Sequence, residues 1–144
     1  MNVEFRCDCP FTSAIDIIGD KWTLVIIKQM LVEDKETFKD FLESEEAIAT
    51  NILAARLKML EAFHIIRKEK LPDNKKTNIY RLTEKGLALT PVIIELGLWS
   101  DSHLREFNPD IMITDQLTEE TKAAFIKAVL SNYRAKLAND SKAV

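Results

Sequence analysis

Residues 48–60 read IATNILAARLKML, a stretch that is helical by pattern but unusual in what it leaves outside. At about 100° per residue, Ile52, Leu53, Arg56, Leu57, Met59, Leu60 and Phe63 share one broad arc, apolar apart from the arginine. The opposite arc carries Thr50, Asn51, Ala54, Ala55, Lys58, Glu61 and Ala62. A merely solvated face fills with Lys, Glu and Gln, which keep a helix soluble at little conformational cost. Small residues there imply the close approach of something bulky. The plainer reading is a packed helix whose alanines serve propensity alone.

The flanks decide between the two. Upstream, Thr37 can cap a short helix, TFKDFLES, with Phe38, Phe41 and Leu42 facing inward. Ser44 to Ala47 then leave a link of roughly four residues, the dimensions of a helix-turn-helix. Downstream, HIIRKEK and TNIYRLT have strand character, and the LPDNKK between them is a turn with two lysines at its tip. Before this block, TSAIDIIGDKWTLVIIKQML sets Ile15, Ile18, Trp22, Ile26 and Met30 at helical spacing, with Gly19 and Asp20 as a break: one helix, or two short ones. After it, Thr83 can cap a helix that Gly86 and Pro91 redirect into a longer segment, 91–106, rich in apolar residues (Val92, Ile93, Leu96, Trp99). Asn108 to Asp115 reads as a linker, and 118 to about 138 as a last amphipathic helix with Ala124, Phe125, Ala128, Val129 and Leu137 on its apolar side.

The order helix, helix, helix, hairpin, helix is that of a winged helix-turn-helix: mainly α with a small β-hairpin, here with extra N- and C-terminal helices. The expected organisation is a DNA-binding and dimerisation domain over 1–107 and a linker with a C-terminal helical extension over 108–144. In such a fold the recognition helix enters the DNA major groove while the hairpin touches the backbone beside it. Alanines at 54 and 55 let the helix seat against base edges and can meet a thymine methyl, Asn51 can pair with adenine, and Thr50 with several partners. Lys39, Lys58, Lys70, Asn74, Lys75 and Lys76 are the candidates for phosphate and backbone contacts. Arg56, within the apolar arc, can pack its stem and pair its head with a carboxylate, or contact DNA.

Composition sets the limits. The chain has 144 residues, 47% hydrophobic, with only 3 glycines and 4 prolines, which favours one mainly helical domain with an appendage. The net charge of −3 argues weakly against nucleic acid, but local distribution matters more. From 33 to 47 seven acids face two lysines, a balance of −5; from 48 to 82 eight bases face three acids, a balance of +5. The basic block contains the recognition helix and the hairpin. No apolar run approaches the roughly 18 residues of a membrane span, and the N-terminus lacks signal-peptide character, so the expected location is cytoplasmic, with nucleoid association.

Nothing in the chain reads as an enzyme. There are two histidines, no H-E-x-x-H, no G-x-S-x-G and no phosphate-cradling glycine loop. Asp16 and Asp20 are placed as capping or ion-pairing groups. Cys7, Cys9, His64 and His103 do not make a metal set at this spacing, and no cofactor or metal is expected. Cys7 and Cys9 are too close for an easy bond between them, and only Arg6 lies near enough in sequence to favour a thiolate. The rival functional reading is a winged helix that binds protein instead of DNA, with the acidic 33–47 segment as its surface.

An ordered set of elements also resembles the HxlR family of bacterial winged helix-turn-helix regulators: Cys9-Pro10, Ile18-Gly19-Asp20-Lys21-Trp22, Phe38-Lys39-Asp40-Phe41-Leu42, Ile48 to Leu53, Arg56-Leu57, Tyr80 to Gly86, and Trp99. The similarity spans about residues 6–104. It implies a homodimer on an inverted-repeat operator, with N- and C-terminal helices of the two protomers packed together, and Trp22, Ile94, Leu98 and Trp99 are assigned to that seam. It further implies that the cysteine at position 9 is a site of thiol sensing, with a small-molecule or electrophile effector, whereas Cys7 stands where the family commonly has serine, so that a second thiol is this chain's own feature. The chain departs from the family pattern at His64 and Ala47, where glycine is common. Position 64 ends the recognition helix and is suited to φ > 0, so a strained cap is expected there.

Overall fold

The structure is a computed structural model describing residues 3–71 and 73–142. Its elements run α1 (Pro10–Ile18), α2 (Thr23–Val32), α3 (Phe38–Leu42), α4 (Thr50–Ala62), β1 (Ile66–Lys70), β2 (Asn78–Leu82), α5 (Glu84–Leu87), α6 (Thr90–His103) and α7 (Lys122–Lys142). β1 and β2 form an antiparallel hairpin with Ile66 opposite Leu82 and Lys70 opposite Asn78. Pro72, part of the expected turn, lies outside the described residues.

The winged helix-turn-helix order is therefore present, and the local chemistry explains it. α1 and α2 are separate helices because Asp20 takes the Trp22 N–H at 2.9 Å, the Thr23 N–H at 3.0 Å and the Thr23 hydroxyl, capping α2 and ending the continuation of α1. α3 starts with a reciprocal capping box: Thr37 Oγ1 accepts from Asp40 N–H at 3.1 Å while the Asp40 carboxylate accepts from the Thr37 and Glu36 N–H groups, each at 3.0 Å. The connection from α3 to α4 occupies 43–49, longer than the four-residue link expected, because the helix begins at Thr50 and not at Ile48. Ala47 turns the chain there at φ 56°, and His64 ends the recognition helix at φ 61°, both in the left-handed region where glycine is favoured.

The second of these turns is held by the segment after the hairpin. The Thr83 hydroxyl donates to the His64 carbonyl at 2.6 Å and the Ile65 carbonyl at 3.0 Å, and Lys85 Nζ donates to the Phe63 carbonyl at 2.7 Å. Gly86 lies so close that a Cβ would sit 2.3 Å from the Ile65 carbonyl oxygen. The Thr-Glu-Lys-Gly stretch is thus the C-terminal cap of α4, supplied from the far side of the hairpin.

The chain divides into two compact units between Gly86 and Leu87. In the first, the core is built by Ile26, Ile27 and Met30 of α2, Phe41 of α3, Leu53, Leu57 and Leu60 of α4, and Ile66, Ile79 and Leu82 of the hairpin. Each such side chain contributes roughly 1.5–3 kcal/mol of burial. In the second, Ile94 and Leu98 of α6 pack with Leu117, joined by Ile113, Phe125 and Ile126. α6 falls in the second unit, with the C-terminal segment that closes over it. Ile94 and Leu98, assigned above to a protomer seam, are buried against their own C-terminal segment. The tail helix begins at Lys122 after a Thr118–Thr121 turn, with Tyr133 buried on it and Ala124 and Ala128 exposed.

Candidate nucleic-acid interface

α4 turns Leu53, Leu57, Met59 and Leu60 inward and leaves Thr50, Asn51, Ala54, Ala55 and Lys58 exposed. Its N-cap, Ala49, offers no side-chain acceptor, so the first-turn N–H groups carry no side-chain cap. Arg56 is half-buried with a guanidinium nitrogen 3.6 Å from the Asp20 carboxylate, an ion pair between the recognition helix and the α1–α2 corner. Partial burial raises the Asp20 carboxyl, but the Thr23 hydroxyl, the Trp22 and Thr23 N–H groups and Arg56 outweigh it and hold the group below the ordinary carboxylate range.

On the hairpin, Lys70, Lys75 and Lys76 are exposed. Among the described residues these three and Lys58 hold no ion pair. Asn74 is committed to the turn, its amide donating to Thr77 Oγ1 at 2.9 Å and its carbonyl accepting the Lys76 N–H at 3.1 Å, so it shapes the tip. Lys39 is exposed on α3 with Nζ 3.8 Å from Glu43. A groove of about 590 Å³ runs between α4 and the hairpin, lined by Ala54, Leu57, Lys58, Glu61, Lys68 and Tyr80 among others. Lys68 and Glu61 were not singled out in the sequence; the strand register that brings Lys68 opposite Tyr80 is what places it there.

The acidic segment is largely consumed inside the protein. Glu46 takes Lys28 Nζ at 2.7 Å and Gln29 Nε2 at 2.8 Å, Glu33 pairs with the same lysine, Glu36 with Arg81, and Asp40 caps α3. A continuous acidic surface for a protein partner is not what these residues form.

At the N-terminus Cys7 and Cys9 are free and exposed. Cys9 is the N-cap residue of α1; its sulfur closes no full capping bond, yet the Thr12 N–H and hydroxyl and the Phe11 N–H face it and hold the thiol below its ordinary value. Arg6, expected to be the activating charge, instead reaches Asp16 at 2.6 Å. The helix terminus takes its place. Trp22 is half-buried with Lys21 Nζ 5.1 Å from its ring, and Trp99 is exposed on α6 beside His103. Cys7, Cys9, His64 and His103 form no metal-ligand group among the described residues. No described helix is long and apolar enough to cross a membrane.

A two-helix reader with a flanking basic hairpin defines a winged helix-turn-helix transcriptional regulator. Residues 17–108 match the HxlR-like helix-turn-helix family, and the chain belongs to it. It is 38% identical over 94 residues to the HTH-type transcriptional regulator YodB of Bacillus subtilis (strain 168), covering 65% of this chain and 83% of YodB. The reduced form of YodB superimposes with a TM-score of 0.55 at 35% identity over 69% of this chain and 98% of that one. Its quinone-bound form does so with a TM-score of 0.54 at 35% identity over 65% and 99%. The redox regulator HypR in its reduced form gives a TM-score of 0.59 at 25% identity, covering 70% of this chain and 99% of its own.

Proposed function

We propose that the protein is a homodimer that reads an inverted-repeat operator in double-stranded DNA, with Thr50, Asn51, Ala54 and Ala55 against base edges and Lys39, Lys58, Lys70, Lys75 and Lys76 on phosphates. The observation that carries this is the exposed face of α4, which is small and polar at its N-terminal half and flanked by Lys58, Lys70, Lys75 and Lys76, which hold no ion pair among the described residues. The uncapped first turn adds N–H donors suited to a phosphate oxygen. The seam between protomers draws on the apolar residues left exposed: Phe11 and Ile15 on α1, and Val92, Leu96 and Trp99 on α6. Trp22 belongs to the same proposal. Selection from a random duplex pool tests it: a palindromic site with half-sites one helical turn or a multiple apart supports it, and a single unpaired half-site contradicts it.

The second element is thiol control. Cys9 is exposed, sits at a helix N-terminus and has a lowered thiol value, the setting of a reactive cysteine. Relatives solved in reduced and quinone-bound forms (YodB) and in reduced and oxidised forms (HypR) support a similar sensitivity here. A quinone adds to the Cys9 thiolate through a carbon–sulfur bond; diamide, as two-electron oxidant, links Cys9 to a second thiol such as the Cys7 of another protomer. Either change alters α1 at the seam and so the separation of the two recognition helices.

A further inference from the structure

The groove between α4 and the hairpin holds one acid among its bases. Glu61 follows Lys58 by three residues on α4, so both project into the same groove, facing Lys68 of β1 and Tyr80 of β2. Its carboxylate is 3.9 Å from Lys68 Nζ, with side-chain exposures of 41% and 42% for acid and base. The same charge reaches the Tyr80 phenol, which burial first and Glu61 second hold above the ordinary value. A carboxylate at this position opposes any phosphate brought to the groove, and it has one cation within pairing distance.

We propose that Glu61 is an internal counter-ion that keeps Lys68 in reserve: it pairs with Lys68 in the free protein and yields it to a DNA phosphate on binding, thereby lowering backbone affinity by the cost of breaking the pair. The inference rests on the reading that α4 and the hairpin face DNA. Two features single out this pair. A separation of 3.9 Å is beyond hydrogen-bond reach, so the lysine changes partners at little cost. Of the other cations on β1, Arg67 is held by Glu69 of its own strand at 2.6 Å and Lys70 holds no ion pair among the described residues, which leaves Lys68 as the strand's loosely paired, exchangeable charge. Lys58, in the same groove, has no ion pair among the described residues and so has no partner to give up on binding.

The test is Glu61→Gln in the full chain, titrated by fluorescence anisotropy against the selected operator and a scrambled duplex between about 50 and 300 mM KCl. The change is isosteric and on the surface, and thermal melting confirms the fold. Binding tightens about three- to tenfold on both duplexes at the low-salt end, while the slope of log K against log salt changes by less than about one for each protomer bound, since Lys68 meets the phosphate in both proteins. In a Lys68→Met background the same substitution leaves affinity unchanged. Binding no tighter than wild type overturns the proposal, and so does an equal tightening without Lys68, which would set Glu61 directly against DNA. If the wild-type protein binds neither duplex, the DNA-facing reading itself fails and the inference falls with it; if wild type binds and only the Gln effect is absent, the inference alone fails.

Discussion

Replacing Asp20 by alanine removes the group that divides α1 from α2 and anchors the recognition helix. Its carboxylate accepts from the Trp22 and Thr23 N–H groups and the Thr23 hydroxyl, and faces Arg56 of α4 at 3.6 Å. Loss of a helix cap costs about 0.5–2 kcal/mol. Thr23 is 0% exposed, so its hydroxyl is left without an acceptor in a place water does not reach, about 1–3 kcal/mol more. The half-exposed Arg56 pair adds no more than about 1 kcal/mol. These contributions share one group and are not additive, so the expected loss is about 2–4 kcal/mol, a large part of a typical stability of about 5–15 kcal/mol. Urea unfolding followed by far-ultraviolet circular dichroism measures it. Asp20→Asn keeps one acceptor oxygen and should cost less than half as much at neutral pH. The sign in acid is fixed by the depressed carboxyl: its contribution is complete above the unfolded value of about 3.9 and is lost as pH falls through the lower folded value, so wild type and Asp20→Asn converge in that window. An alanine variant within about 0.5 kcal/mol of wild type, or an asparagine variant with the same acid limb as wild type, would refute the assignment.

Leu98→Ala, in the buried cluster of α6, should lower stability by about 2–5 kcal/mol, whereas Leu96→Ala, on the exposed side of the same helix, should leave stability within about 0.5 kcal/mol and weaken self-association in sedimentation velocity. Lys75→Ala with Lys76→Ala should weaken binding to all duplexes alike and lower the salt slope by about one to two units for each protomer bound. Asn51→Ala should cost roughly 1–3 kcal/mol, concentrated at one base pair of each half-site, which a panel of single-base operator variants resolves. Cys9→Ser should abolish any loss of operator binding caused by diamide or quinone while leaving reduced-state affinity nearly intact; unchanged wild-type affinity after modification verified by mass spectrometry removes the thiol switch.

The first unit was legible because its signals are local. The 3.6-residue period of 50–62, the turn chemistry between two short strands and the Thr37 and Thr83 caps each act within a few residues, and the expected exposed arc of α4 is the one observed. The strained position at His64 was also readable, since the chain puts a non-glycine where the helix must end. The second unit was harder to read. An apolar surplus on 91–106 shows that a helix has more to bury than a surface position allows, but it does not say what covers it. Ile94 and Leu98 are satisfied by Leu117 and Phe125, reached through a linker whose path no period or turn residue encodes, whereas Leu96 and Trp99 on the same helix stay exposed. The Asp20–Arg56 tie is a similar case: the sequence leaves Arg56 open between a carboxylate and DNA, and choosing the carboxylate 36 positions earlier requires the fold.

Charge is where counting along the chain and reading the folded surface part most sharply. The balance of −5 over 33–47 looks like a docking face, yet Glu33 and Glu46 close on Lys28 of α2, Glu36 on Arg81 of β2, and Asp40 on backbone N–H groups. The balance of +5 over 48–82 shrinks by the same logic, because Arg81 is buried with Glu36 and Arg56 faces Asp20, both acids from outside the segment. The pairing is selective by residue type. The arginines, whose planar forks suit fixed carboxylate partners, are paired within the first unit, whereas Lys58, Lys70, Lys75 and Lys76 hold no ion pair among the described residues, and a lysine's mobile single charge suits contacts that carry no sequence. Under the proposed function Thr50, Asn51 and the alanines of α4 read the sequence, which would put affinity and specificity on different residue types.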